Sequence, residues 1–166
     1  MSKIDALIEV LQREKEIYAG LLSISEDKKS LIVAGDTGKL SSMLKEETDL
    51  ADEARTLEEK RIAIADSLAG QLGFQEDEIS LRALAESTDD PALKIKLIRL
   101  RSDISEIVTK LVKYNNINKT LIKQRSDYVG AMLGSIIKSE PFGSFYNRGG
   151  SAGVYNTGAG FFDRQA

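Results

Sequence analysis

Through its first 138 residues the chain carries a single proline, Pro91. Proline lacks a backbone donor and clashes with the preceding turn, so it interrupts helices. Two long stretches free of it, each with apolar residues three and four apart, can fold into long helices and into little else. In the first stretch Ile4, Leu7, Ile8, Leu11, Tyr18, Leu21 and Leu22 recur at helical spacing, and the pattern continues through Leu31 and Ile32 to "AGDTG". Gly35 suits a helix C-cap there, and Asp36 suits the N-cap of the next helix. A second helix should start near Thr37, present Leu40, Met43, Leu44, Leu50, Ala51, Ala54, Leu57, Ile64, Ala65, Leu68 and Leu72, and end at Gly73. "EISLRALAEST" reads as a short helical or turn-like link. "DDPALK" then supplies a start signal, with Asp90 as N-cap and Pro91 at the first helical position.

The third long helix is expected from about Pro91 to Ile137, roughly 70 Å at 1.5 Å per residue. Leu97, Leu100, Ile104, Ile107, Leu111, Tyr114, Leu121, Tyr128 and Met132 alternate four and three apart, with Asn118 and Arg125 as polar members of the same register. Past Tyr114 the stripe slides onto Ile122, Val129 and Ile136. A straight helix of 3.6 residues per turn drifts in this way against a 3.5 repeat, so the pattern favours an antiparallel bundle over a long parallel supercoil. Ile98, Val112 and Leu133 form a thinner second row. Ordinary core on a wide bundle face is the plainer reading of that row, and a groove for a partner's amphipathic helix is the sharper one. The expected fold is all-α: three main helices and one short link over residues 1–138, followed by a tail over 139–166.

That tail holds six of the 13 glycines and six of the ten aromatic residues. Such a segment loses too much backbone entropy to fold alone, so it is expected to be mobile in the free protein.

Composition excludes much chemistry. There is no histidine and no cysteine, so the commonest general base, the thiolate metal sites and the usual nucleophile–base pairs are absent. No metal or cofactor is expected. "GDTGKL" fails as a phosphate loop, because its glycines are too close and Leu40 follows the lysine. Acid pairs such as Glu46–Glu47, Glu58–Glu59 and Asp89–Asp90 read as solvated faces and caps. The net charge of −3 is made of interleaved signs, which argues against nucleic acid as the main partner. "KIKLIRLR" is mixed with apolar residues and balanced by nearby acids, so it reads as a solvated helix flank rather than a basic docking patch. No apolar run approaches the length of a membrane span, and the N-terminus does not read as a signal peptide. The cytoplasm is the expected location.

Four stretches in order resemble the FlgN-type flagellar export chaperones. They are "LLSISEDKKSLIVAGDTGKLSSMLKEETDL"; "LEEKRIAIADSLAGQLG", with Leu57, Glu58, Arg61, Leu68, Leu72 and Gly73; "YNNINKTLI", with Asn115, Asn118 and Leu121; and the ending "VYNTGAGFFDRQA". The resemblance implies a chaperone without catalysis that grips the C-terminal amphipathic segment of hook–filament junction proteins. It further implies that the chaperone prevents their premature assembly and brings them to the cytoplasmic part of the membrane export gate. Under that reading Asn118, Leu121, Ile122, Arg125, Val129, Met132 and Leu133 are the candidate cargo contacts, with Asn118 also suited to set register. Tyr128, Tyr146, Tyr155, Phe161 and Phe162 are the candidates for gate docking or tail contacts, and the tail could cover an empty groove. The alternatives are a structural or adaptor coiled coil that self-associates, and an enzyme built on carboxylates.

Overall fold

A computed structural model describes residues 2–73 and 80–139, with side chains as far as Ile136. The described residues are helical, with no strand among them. The elements are α1 (Lys3–Ala34), α2 (Thr37–Leu72), α3 (Leu81–Glu86) and α4 (Pro91–Ser139). The chain divides into two compact units, Met1–Tyr128 and Val129–Ala166, and α4 runs through both. The boundary expected from sequence, between 138 and 139, falls at the end of α4.

Each helix end has a local cause. Ser2 opens α1 with a capping box: its hydroxyl accepts from the Asp5 backbone N–H, and the Asp5 carboxylate accepts from Ser2 N–H at 3.0 Å. Gly35 closes α1 with φ of 73°, a left-handed conformation that side chains with a Cβ rarely adopt. Asp36 then caps α2 by accepting from Lys39 N–H at 3.1 Å. Gly73 ends α2 in the same left-handed way. Ser80 caps α3, and Asp90 accepts from Ala92 N–H at 2.8 Å just ahead of Pro91. The caps expected at Gly35, Asp36, Gly73 and Asp90 are therefore present.

Side-chain bonds set the directions. From α1 to α2, Lys3 reaches Ser67, Arg13 reaches Glu53 and Lys28 reaches Glu47, so rising numbers on one helix meet falling numbers on the other. From α1 to α4 the partners include Lys15–Asp103, Ser25–Asn115 and Val33–Arg125, 88, 90 and 92 positions apart. The order is thus up, down, up. Helices consecutive in the bundle are antiparallel, which leaves α1 and α4 side by side in one direction.

Two apolar clusters fill the first unit. One joins all four helices through Leu7, Leu11, Leu68, Leu84, Ala85 and Leu97. The other joins Ile17, Leu21, Ala54, Leu57 and Leu111. Two corrections concern α2: Leu44 and Leu72, expected with the apolar face, are 52% and 44% exposed. Leu72 is the last residue of α2, where fewer neighbours are available. The thinner row on α4 is also not core, since Ile98, Val112 and Leu133 are 48%, 37% and 54% exposed.

Candidate functional site

The C-terminal half of α4 changes character residue by residue. Leu97, Leu100 and Leu111 are buried. Seven positions past Leu111, in the same register, comes Asn118, which is 3% exposed. Its side-chain amide donates to the Ser25 carbonyl at 2.8 Å, and the fully buried Ser25 hydroxyl donates to Asn115 Oδ1 at 2.8 Å. A leucine at 118 would forfeit the first of these bonds, and a leucine at 25 the second. The Asn118 Oδ1 atom is buried with no partner among the described residues. Asn118, expected among the cargo contacts, therefore faces α1 and not solvent. Its bond to one particular carbonyl fits the expectation that it sets register.

Leu121 is half-buried and Arg125 is exposed. Arg125 Nη2 donates to the Val33 carbonyl at 2.6 Å. That carbonyl belongs to the last turn of α1, where helix carbonyls lack intrahelical partners and a cation is favoured. A Cβ added at Gly35 would fall 2.6 Å from Arg125 Nη1, so the guanidinium would have to swing aside, while the left-handed backbone angle is what requires glycine there. Ile122 and Tyr128 complete this part of the first unit at 52% and 66% exposed.

In the second unit, the last described turns of α4 place Val129, Met132 and Leu133 at i, i+3 and i+4, which is one face of a helix. They are 53%, 47% and 54% exposed, and Ile136 follows in the same register at 54%. Tyr146, Tyr155, Phe161 and Phe162, with the tail beyond Ser139, lie outside the described residues.

Sequence reasoning missed one buried cluster. Glu14 is 2% exposed in the α1 interior and accepts from Arg61 Nε at 3.0 Å. The signal was available: Glu14 occupies the same heptad stripe as Leu7, Leu11 and Leu21, where an unpaired acid would be costly. Burial pushes its carboxyl above the usual glutamate range, against the pull of Arg61, and Glu58 adds to the rise. Burial likewise pushes the Tyr18 phenol up to about 12, aided by the negative charges of Glu14 and Glu58. An unfolded tyrosine ionises near pH 10. The folded state therefore holds its proton longer, and stability should fall as pH rises from about 10 to about 12. Ultraviolet titration of Tyr18→Phe against the native chain checks this: the variant should lack the late phenolate step and lose less stability across that window.

Two shallow hollows occur among the described residues, one along a single face of α4 and one between α1 and the start of α2, and each carries one acid, Glu106 or Asp27. No cluster of potential metal ligands occurs among the described residues. No described helix is long and apolar enough to cross a membrane.

A family model described as "FlgN protein" matches residues 1–153. An uncharacterized protein, YvyG of Bacillus subtilis (strain 168), is 25% identical over 135 residues, spanning 81% of each chain. No solved structure matches. With the family match covering nearly its whole length, this chain belongs to the FlgN family of flagellar export chaperones.

Proposed function

We propose that the protein holds the C-terminal amphipathic segment of a flagellar hook–filament junction protein in the cytoplasm, keeps it from assembling early and delivers it to the export gate. Family membership supports the chaperone role. The observation that carries the cargo reading is the apolar face of α4 formed by Val129, Met132 and Leu133, each about half exposed. An amphipathic helix binds by laying its apolar face against such a stripe. Ile122 offers a further apolar contact in the first unit and Arg125 a cation, while Asn118 and Leu121 support that part of α4 from beneath. Tyr128, exposed at 66%, and the tail residues Tyr146, Tyr155, Phe161 and Phe162 are assigned to gate docking or cargo closure.

Co-purification tests the reading. The full chain should retain a hook–filament junction protein as a complex of defined size. A chain ending at Lys138 should retain it less well if the tail closes over cargo. A free protein that instead grows into large assemblies on sizing, and takes up no junction protein, points to a self-associating coiled coil.

A further inference from the structure

The charge of the chain is unevenly placed. α4 carries ten lysines and arginines against three acids, a net of +7 in a chain whose total is −3. Two of those acids are already engaged: Asp103 binds Lys15 of α1 at 2.6 Å, and Glu106 binds Lys110 at 2.7 Å. Lys94, Arg99, Arg101 and Lys113 close no ion pair among the described residues. The expectation that acids balance "KIKLIRLR" is thus not met around Lys94, Arg99 and Arg101.

These cations flank a second seam, on the side of α4 turned away from Leu97, Leu100 and Leu111. Ile95, Ile98, Ser102, Ser105, Thr109 and Val112 follow one another at steps of three and four. All six are exposed, Ile95 to 64% and Ile98 to 48%. Between the apolar ends the short hydroxyl side chains leave a shallow hollow bounded by Ile98, Arg101 and Glu106. In heptad terms Ile95 and Ile98 are a and d. The flanking e and g places then fall on Arg99, Glu106 and Lys113, and on Lys94, Arg101 and Val108. Those flanking places select partners in helix pairing.

We propose that this outer seam docks an amphipathic helix of another protein that carries bulky apolar residues along its seam and acids along both flanks. The small residues make a recess that large side chains can fill, and the unpaired cations match an acidic flank. A second copy of this chain would bring Arg99 and Lys113 against Lys94 and Arg101, a like-charge arrangement that disfavours pairing. A lipid surface calls for a broad face of large apolar residues, whereas the middle of this seam is hydroxyls. Single-stranded nucleic acid calls for aromatic platforms, and the seam has none. The seam lies within the first unit and does not use Val129, Met132 or Leu133.

The probe is a labelled synthetic helical peptide of about four heptads, with leucine at a and d and glutamate at e and g; a second peptide has lysine in place of each glutamate. Fluorescence anisotropy with the full chain should show binding of the glutamate peptide and at least roughly tenfold weaker binding of the lysine peptide. Arg99→Glu/Arg101→Glu/Lys113→Glu should reverse that preference, and Ile98→Asp should abolish binding. All four positions are exposed, and circular dichroism should show the helices intact. Val129→Asp/Leu133→Asp should bind the peptide as the native chain does, which separates this seam from the cargo site. The proposal is overturned if neither peptide binds, if both bind alike, or if the charge-reversed chain keeps the native preference. Tighter binding of phosphatidylglycerol vesicles or of an oligonucleotide than of the glutamate peptide also overturns it.

Discussion

Replacing Leu97 with alanine should destabilise the bundle by about 2–5 kcal/mol, the range for removing a large buried side chain from a packed site. Leu97 is 1% exposed and sits in the cluster that joins all four helices, against Leu7, Leu11 and Leu84 among others. Neighbours drawn from four separate elements cannot all move inward to fill the space left. Ile95, two residues away on the same helix, is 64% exposed, and Ile95→Ala should change stability by no more than about 0.5 kcal/mol. Urea unfolding of the two variants provides the comparison. Since the change in m is expected to be small, the effect should appear as a lower midpoint for Leu97→Ala. Equal effects at the two positions would contradict the placement of α4 against the core.

The second large effect concerns Arg61. Its Nε holds the Glu14 carboxylate at 3.0 Å, with the Glu14 side chain 3% exposed and that of Arg61 31%. Arg61→Met removes the partner and leaves the carboxylate in the interior, a loss of about 3 kcal/mol. Pairing it with Glu14→Leu should restore most of that, because a buried ion pair replaced by apolar side chains of similar size is often neutral or better. A double-mutant cycle by chemical denaturation measures the coupling. The pH dependence has a definite sign. The folded carboxyl lies above its ordinary value of 4.5, so the folded state binds the proton more tightly than the unfolded chain does. Its contribution to stability therefore falls as pH rises from the ordinary value through the raised one. Without Arg61 the rise is larger, and the Arg61→Met variant should regain part of its lost stability as pH is lowered through that window.

The long helices were legible because their signals are local. Gly35, Asp36, Gly73 and Pro91 mark ends by backbone requirements that hold whatever surrounds them. Periodicity also found most of the core, including Leu7, Leu11, Leu57, Leu97 and Leu111. It failed where a position depends on what lies across from it. Leu44 and Leu72 sit in register on α2 yet remain open. Glu14 shares the stripe of Leu7, Leu11 and Leu21, but nothing local identifies its partner, because Arg61 lies 47 residues away. The polar link from Ser25 to Asn115 and Asn118 spans some 90 positions and has no local mark. The charge of α4 was missed for a related reason: along the chain the acids look near enough to balance it, but in space Asp103 is already bound to Lys15.

The candidate cargo residues divide in the same way. Asn118 matched the register but belongs to the interior, whereas Met132 of the same register, Val129 of the sliding stripe and Leu133 of the thinner row are exposed. That contrast is why the exposed group, rather than the whole register, is taken as the cargo surface. Calorimetric titration of the full chain with a peptide of the C-terminal segment of a hook–filament junction protein tests this most directly. The native chain should bind with a negative heat-capacity change, the mark of apolar burial. Val129→Asp/Leu133→Asp should weaken binding by roughly 100-fold, as expected when two central apolar contacts of about 1.4 kcal/mol each are lost. Unchanged affinity in that variant, with its helical content intact, would contradict the assignment of this face to cargo.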